Sequence, residues 1–424
     1  MPDHVDCVLP PMPRVTADLP GVGGRIREHP ADFEVTELPA YEPSGEGTHA
    51  YLWVEKVGIP TMELVHRLAA ALGRKAQEFG VAGLKDARAK TRQWISIEHV
   101  DPAKLENLKG DGWRVLKVSH HKNKLKIGHL RGNSFRILIR GTGADGEGRA
   151  RAIMDRLTTG GVPNIFGHQR FGLRGDTHLM GAAILNGEWK RLCDLLLGHP
   201  RQSDPPAAWK FRSLYDAGEY HDARRNLPHG HREHAAVLDA LLRSKGDFSR
   251  AGQTLPRQMK RFFVSAWQSA LFNEVVAQRL PNLGLLLPGD LAWLHDRGAV
   301  FRVEDLAVDQ PRADRLEISP TGPLFGFRMT EPTGRPGEIE KAVLAASGVG
   351  SGAFRGGGKD NLKGCRRPLR VPLESPALEA VSEDLWISFS LPSGCYATVV
   401  LDELMKSGAA EAEPDAGVDE EIEE

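Results

Sequence analysis

Cysteine is scarce in this chain: 424 residues hold four, Cys7, Cys193, Cys365 and Cys395, far apart and without paired spacing. That excludes a disulfide scaffold or a cysteine-built zinc site, and it fits a reducing compartment, the cytoplasm. No apolar run approaches the roughly 18 residues that a membrane helix needs, so no membrane association is expected. Met1–Pro13 carries prolines and acids rather than a basic-then-apolar pattern, so a secretory leader is not expected. Common nucleotide and hydrolase signatures are missing. Gly356-Gly-Gly-Lys359 imitates a phosphate loop, but Ala353 stands where the first glycine is required and Asp360 follows the lysine. Gly21-Val-Gly-Gly24 lacks the last glycine of a dinucleotide fingerprint, and no Gly-x-Ser-x-Gly elbow occurs. His229, His231 and His234 match no helical metal-binding spacing, and no metal is expected.

What is present is an ordinary globular composition, 41% apolar and 26% charged, over a length that suits two or three domains at about 150 residues each. The formal net charge of −1 hides an uneven distribution. Residues 409–424 hold eight acids and no Lys or Arg, and without them the charge becomes +7. This stretch reads as an acidic, disordered tail on a mildly basic body. Residues 113–140 hold eight Lys or Arg, three His and no acid. Such a block is either a footprint for a polyanion or a solvated basic face.

The first 140 residues read as strands with a few helices. Asp32–Leu38 and Tyr51–Val57 alternate apolar and polar residues, and the turn chemistry of Pro43–Thr48 between them predicts an antiparallel pair. Thr61 reads as an N-cap for a helix with a Leu64, Val65, Leu68, Ala69 and Leu72 stripe, stopped by Gly73. Further strands are expected at Gln93–Ile97, Trp113–Ser119 and Ser134–Arg140, the last with Phe135, Ile137 and Ile139 on one face. Residues 150 to 280 are mainly helical in pattern, clearest at Arg261–Leu280 before Pro281. Residues 285–371 return to short strands, with a loop at Gly348–Gly364. Asp384–Leu391 reads as a strand and Ala397–Met405 as a strand end or short helix. β-rich ends around a helical middle predict an α+β fold with an inserted domain.

The informative segment runs from Val81 to Trp94, where Asp86 sits among Lys85, Arg88, Lys90 and Arg92. A carboxylate in a basic loop is either a local ion-pair partner or a nucleophile kept ionised by nearby cations. No second carboxylate is placed for an acid–base pair, so glycosidase chemistry is not supported. Gly83-Leu-Lys-Asp-Ala-Arg-Ala-Lys-Thr-Arg-Gln93 closely resembles the signature of the TruD family of tRNA pseudouridine synthases. Further segments resemble that family in the same order: Pro30–Val35, His121–Gly128 with Gly132-Asn-Ser-Phe135, Val162–Gly172, Ser265–Asn273 and Leu391–Thr398. The likeness spans about residues 25 to 405.

That resemblance implies a pseudouridine synthase-like catalytic domain, α+β with a mixed, mostly antiparallel sheet. It would be split into residues 1–159 and 371–408 around an inserted α+β TRUD domain at 160–370, ahead of the tail at 409–424. It implies a tRNA substrate, isomerisation of uridine-13, no cofactor, and Asp86 as the catalytic residue. Phe33, Asn133 and Tyr396 would line a uridine pocket, Arg27 and Lys85 would supply positive charge, and Phe135 would support the pocket. Phe33 and Tyr396 would offer stacking surface to a flipped base. Tyr396 departs from the Phe common in bacterial relatives, and Ile165 from a common aromatic. The long segment between Gly172 and Arg261 resembles the archaeal and eukaryotic branch. An RNA-binding protein without activity, or a synthase for another RNA, are the alternative readings.

Overall fold

The computed structural model describes residues 13–105, 107–355 and 362–406. All but the last residue of the amino-terminal stretch read for a leader, the phosphate-loop imitation at 356–359 and the acidic tail lie outside the described residues. Two compact units form. One comprises Arg14–Asn164, Asp314–Leu316 and the chain from Arg370 onward; the other comprises Ile165–Ala313 and Glu317–Leu369.

The first unit is built on a nine-stranded mixed sheet. Its strand order is Glu374–Val381, Asp384–Pro392, Leu130–Ile139, Phe33–Pro39, Lys90–Glu98, His49–Val57, Trp113–His121 and Lys109–Gly110, and Gly80–Val81 also pairs with Lys90–Glu98. All pairings are antiparallel except that of Phe33–Pro39 with Lys90–Glu98. This corrects one expectation: Phe33–Pro39 and His49–Val57 are both strands but not neighbours, because Lys90–Glu98 lies between them. A period-two pattern defines each strand but says nothing about which strand it pairs with.

One sheet face is apolar by simple alternation. Leu52, Val54, Ile95 and Ile97 are buried beneath Leu64, Val65 and Leu68 of the helix Thr61–Leu72. Gly73 ends that helix in a left-handed conformation at φ 65°, as glycine does without penalty. Thr61, expected to cap the helix, is instead its first residue, with Pro60 at the cap position. The opposite face carries a ladder of paired charges: Arg92 and Arg114 both reach Glu55, and Lys90 reaches Glu34. Farther along, helix Gly146–Gly160 packs on Glu374–Val381 and Asp384–Pro392. Ala397–Met405, which sequence left between strand and helix, is a helix.

The second unit has a helical part, from Thr177–Asn186 to Arg257–Arg279, around a core that includes Leu192, Leu196, Phe211, Leu238, Leu241 and Phe263. Its four-stranded antiparallel sheet has the order Val300–Arg302, Leu291–Leu294, Ile318–Leu324, Cys365–Pro368. Both units are α+β. No helix among the described residues is long and apolar enough to cross a membrane, and no group of His, Cys, Asp and Glu among them could hold a metal ion.

Candidate active site

The segment between Gly80–Val81 and Lys90–Glu98 must turn back on itself, because both strands belong to the same sheet and pair with each other. Asp86 sits on that connection. Its carboxylate is about half exposed, at 51%, and Oδ2 accepts from Arg27 Nη2 at 3.1 Å. The cation that meets Asp86 therefore comes from outside the loop. Lys90 and Arg92, which surround Asp86 in sequence, are carried by strand alternation to the charged face, where Glu34 and Glu55 hold them.

Lys85 also turns away from solvent. Its side chain is 4% exposed and Nζ lies 3.2 Å from Glu37 Oε2, itself 1% exposed. Burial pushes the Glu37 carboxyl up from its ordinary value while the Lys85 ammonium opposes that rise. Glu37 Oε1 further accepts from the Trp94 backbone N–H at 3.2 Å. Lys85, expected as a contact for the substrate, is thus a buried ion-pair partner here.

Phe33 begins its strand fully buried, with the Arg27 guanidinium 4.4 Å above its ring centroid. Its edge meets Phe135 at 6.4 Å, and Phe135 in turn lies 5.4 Å from Phe389. Three rings form an apolar floor, with Arg27 laid over one end of it and bonded to Asp86. This corrects the expectation that Phe33 offers an open stacking face: in this arrangement that face belongs to Arg27, and a base could take it only if the guanidinium moved.

Asn133 stands across from Glu37 in one neighbouring strand and from Leu391 in the other. It shares a face with Phe135, two residues on. Its Oδ1 is buried and has no hydrogen-bond partner, an arrangement that is costly unless something else supplies a donor. Gly132 allows the strands to close at this point, since a Cβ there would lie 2.2 Å from the Leu391 carbonyl oxygen. Tyr396 follows the same strand Asp384–Pro392, half-buried at the N-cap of helix Ala397–Met405. These contacts join Arg27, Phe33, Asp86 and Phe135 directly, join Lys85 to them through the chain, and place Asn133 by register; Tyr396 enters through the strand that carries Leu391.

Sequence reasoning missed the support under the loop. Lys56 is fully buried, and its Nζ donates to the Asp86 carbonyl at 2.7 Å and to the Lys85 carbonyl at 3.2 Å. Thr61 Oγ1 accepts from the Lys85 N–H at 2.8 Å and bonds Gln93 Oε1 at 2.9 Å. Gln93 Nε2 reaches the Gly83 carbonyl at 3.3 Å. A signal for Lys56 existed: it continues the Leu52–Val54 alternation, so it lies on the buried face.

The basic block at 113–140 is partly neutralised. Arg114, Lys122, Arg136 and Arg140 pair with Glu55, Glu46, Glu379 and Asp32. Lys117, Lys126 and Arg131 have no carboxylate partner among the described residues.

The family model described as tRNA pseudouridine synthase D (TruD) matches residues 12–404. The chain is 46% identical over 392 residues to tRNA pseudouridine synthase D of Geobacter sulfurreducens, covering 92% of this chain and 96% of that one. It is 41% identical to the protein of the same name from Thermus thermophilus, covering 95% of each. A solved structure, the putative tRNA pseudouridine synthase D (TruD) of Methanosarcina mazei, superposes with a TM-score of 0.81 at 28% identity, covering 94% of this chain and 97% of that chain. The chain belongs to the tRNA pseudouridine synthase D (TruD) family. Because the Geobacter relative is matched over nearly its whole length, the long segment after Gly172 does not set this chain apart from it.

Proposed function

We propose that this chain converts uridine in tRNA, at uridine-13, to pseudouridine, with Asp86 as its catalytic carboxylate. The observation that carries this reading is a half-exposed carboxylate fixed by one arginine beside an aromatic floor, on the signature segment of the family. The catalytic work falls to the unit that contains residues 14–164 and the chain from Arg370.

The reaction breaks the bond from ribose C1′ to uracil N1 and makes one from C1′ to C5. The C5 proton leaves and N1 gains a proton, so nothing is consumed and no cofactor is needed. A base inside folded RNA must first be extruded, at a cost of a few kcal/mol. The unpartnered Asn133 Oδ1 offers an acceptor for a base-edge N–H, which would recover part of that cost. Arg27 holds the Asp86 carboxylate in place, where a carboxylate can attack the sugar or base or abstract a proton. An aromatic side chain at Tyr396 would add stacking, worth roughly 1–3 kcal/mol per base.

Tritium release from tRNA labelled at uracil C5 tests the reading. Wild type should release tritium and Asp86→Asn should not, while both bind tRNA within severalfold of each other. Isomerisation by Asp86→Asn would discard the assignment of the carboxylate. Binding by wild type without release would favour an RNA-binding protein without activity, and mapping the product would expose a target other than uridine-13.

A further inference from the structure

Arginines in the second unit are mostly neutralised by carboxylates: Arg174 by Asp204, Arg201 by Asp176, Arg279 by Asp290 and Arg366 by Glu340. Arg328 and Arg355 are among those that are not. Both are exposed, and neither has a carboxylate partner among the described residues. Instead both guanidinium groups lie on one aromatic ring, at 5.1 and 5.2 Å from the Phe327 centroid.

The ring itself is anchored. The Phe327 backbone N–H donates to the Leu362 carbonyl at 2.6 Å, and its carbonyl accepts from Gly364 N–H at 3.1 Å. Phe327 also forms a bridge with Lys363, an exposed cation on the approach to the sheet's edge strand Cys365–Pro368. Two guanidinium groups are thus gathered on one fixed ring, and neither has a carboxylate partner among the described residues. Like charges so placed repel one another, and an anion supplied from outside relieves that repulsion. A guanidinium stacked on a ring keeps its N–H edges free of the ring, in a planar fork suited to two phosphate oxygens. Stacking also fixes the plane in advance, so less freedom is lost when the phosphate arrives.

We propose that Phe327, Arg328 and Arg355 form a subsite for the phosphate backbone of the RNA substrate, an inference that rests on the RNA reading above. A solvated patch without a ligand would leave RNA binding indifferent to these residues. A docking place for an acidic polypeptide would need the same charges but not the RNA.

The test uses the full chain and an unmodified tRNA transcript, with Arg328→Gln and Arg355→Gln combined. The expected result is about tenfold weaker binding at moderate salt. The slope of log affinity against log salt should shrink by about 1.4 to 1.8, as for two lost phosphate contacts. The single-turnover rate at saturating enzyme should stay at the wild-type value. Phe327→Ala, which keeps both charges, should weaken binding by a smaller factor and leave the slope nearly unchanged. Wild-type affinity and slope in the double variant would overturn the proposal. So would unchanged tRNA binding combined with lost retention on poly-glutamate, which would assign the patch to an acidic polypeptide. If wild type binds tRNA through this patch but releases no tritium, the subsite stands and the catalytic reading fails.

Discussion

Lys56 Nζ donates to the backbone carbonyl of Asp86 at 2.7 Å, from a position with no solvent exposure. The residue that carries the proposed chemistry is therefore held from below by a buried cation and from outside by Arg27. A loop between two paired strands has few internal contacts to fix it, so such clamps decide where its side chain points. Charge-assisted hydrogen bonds of this kind contribute about 1.5–3 kcal/mol each.

Lys56→Met should leave the Lys85 and Asp86 carbonyls without this donor. The expected outcome is a fall in kcat of at least tenfold, with KM changed by less than threefold, measured by tritium release. Far-UV circular dichroism at the assay temperature should show the folded spectrum. A kcat that stays at the wild-type value would show that the ammonium fixes the fold alone and not the Asp86 geometry.

The pair of Lys85 and Glu37 makes a sharper prediction. Both side chains are almost fully buried. Removing one leaves the other charged and unpaired in the interior, whereas replacing both by apolar groups removes the problem. Lys85→Met should cost about 3–5 kcal/mol in urea unfolding. The double variant Lys85→Met with Glu37→Met should recover most of that loss. Additive losses in this double-mutant cycle would mean that the two groups do not act as a pair.

In the second unit, burial, followed by His231 and Arg212, lowers His234 from its ordinary value to about 3. Its Nδ1 is buried without a partner, although the residue keeps an exposed edge. The folded value lies below that of the unfolded chain, so the neutral ring is favoured by folding. Its contribution is fully present above about pH 6.5 and is lost as the pH falls from there toward 3. Wild type should therefore lose stability over that window more steeply than His234→Phe. Parallel curves for the two proteins, from thermal midpoints between pH 7 and 4, would show that the ring is not the titrating group.

Much of the sheet was legible because its information is local. Phe135, Ile137 and Ile139 alternate within one strand, and so do Leu52 and Val54, so their burial follows from a period of two. The inserted helix before Pro281 could be read in the same way: it spans Arg257–Arg279 and stops where proline denies continuation. The Gly83–Gln93 signature pointed to the family and to Asp86, because a contiguous motif needs no knowledge of its surroundings.

Tertiary structure decided what surrounds that residue. Arg27 is 59 positions away in sequence and Lys56 is 30. Periodicity puts Lys56 on the buried face, but it names the partner in neither contact. Strand order separated Phe33–Pro39 from His49–Val57, sent Lys90 and Arg92 to the far face, and turned Lys85 toward Glu37. The amino-acid sequence alone determined which segments become strands and helices and which motif they carry, since those depend on neighbours a few residues apart. Which cation meets which carboxylate was set only when the strands paired, because a charge finds its partner through space and not along the chain.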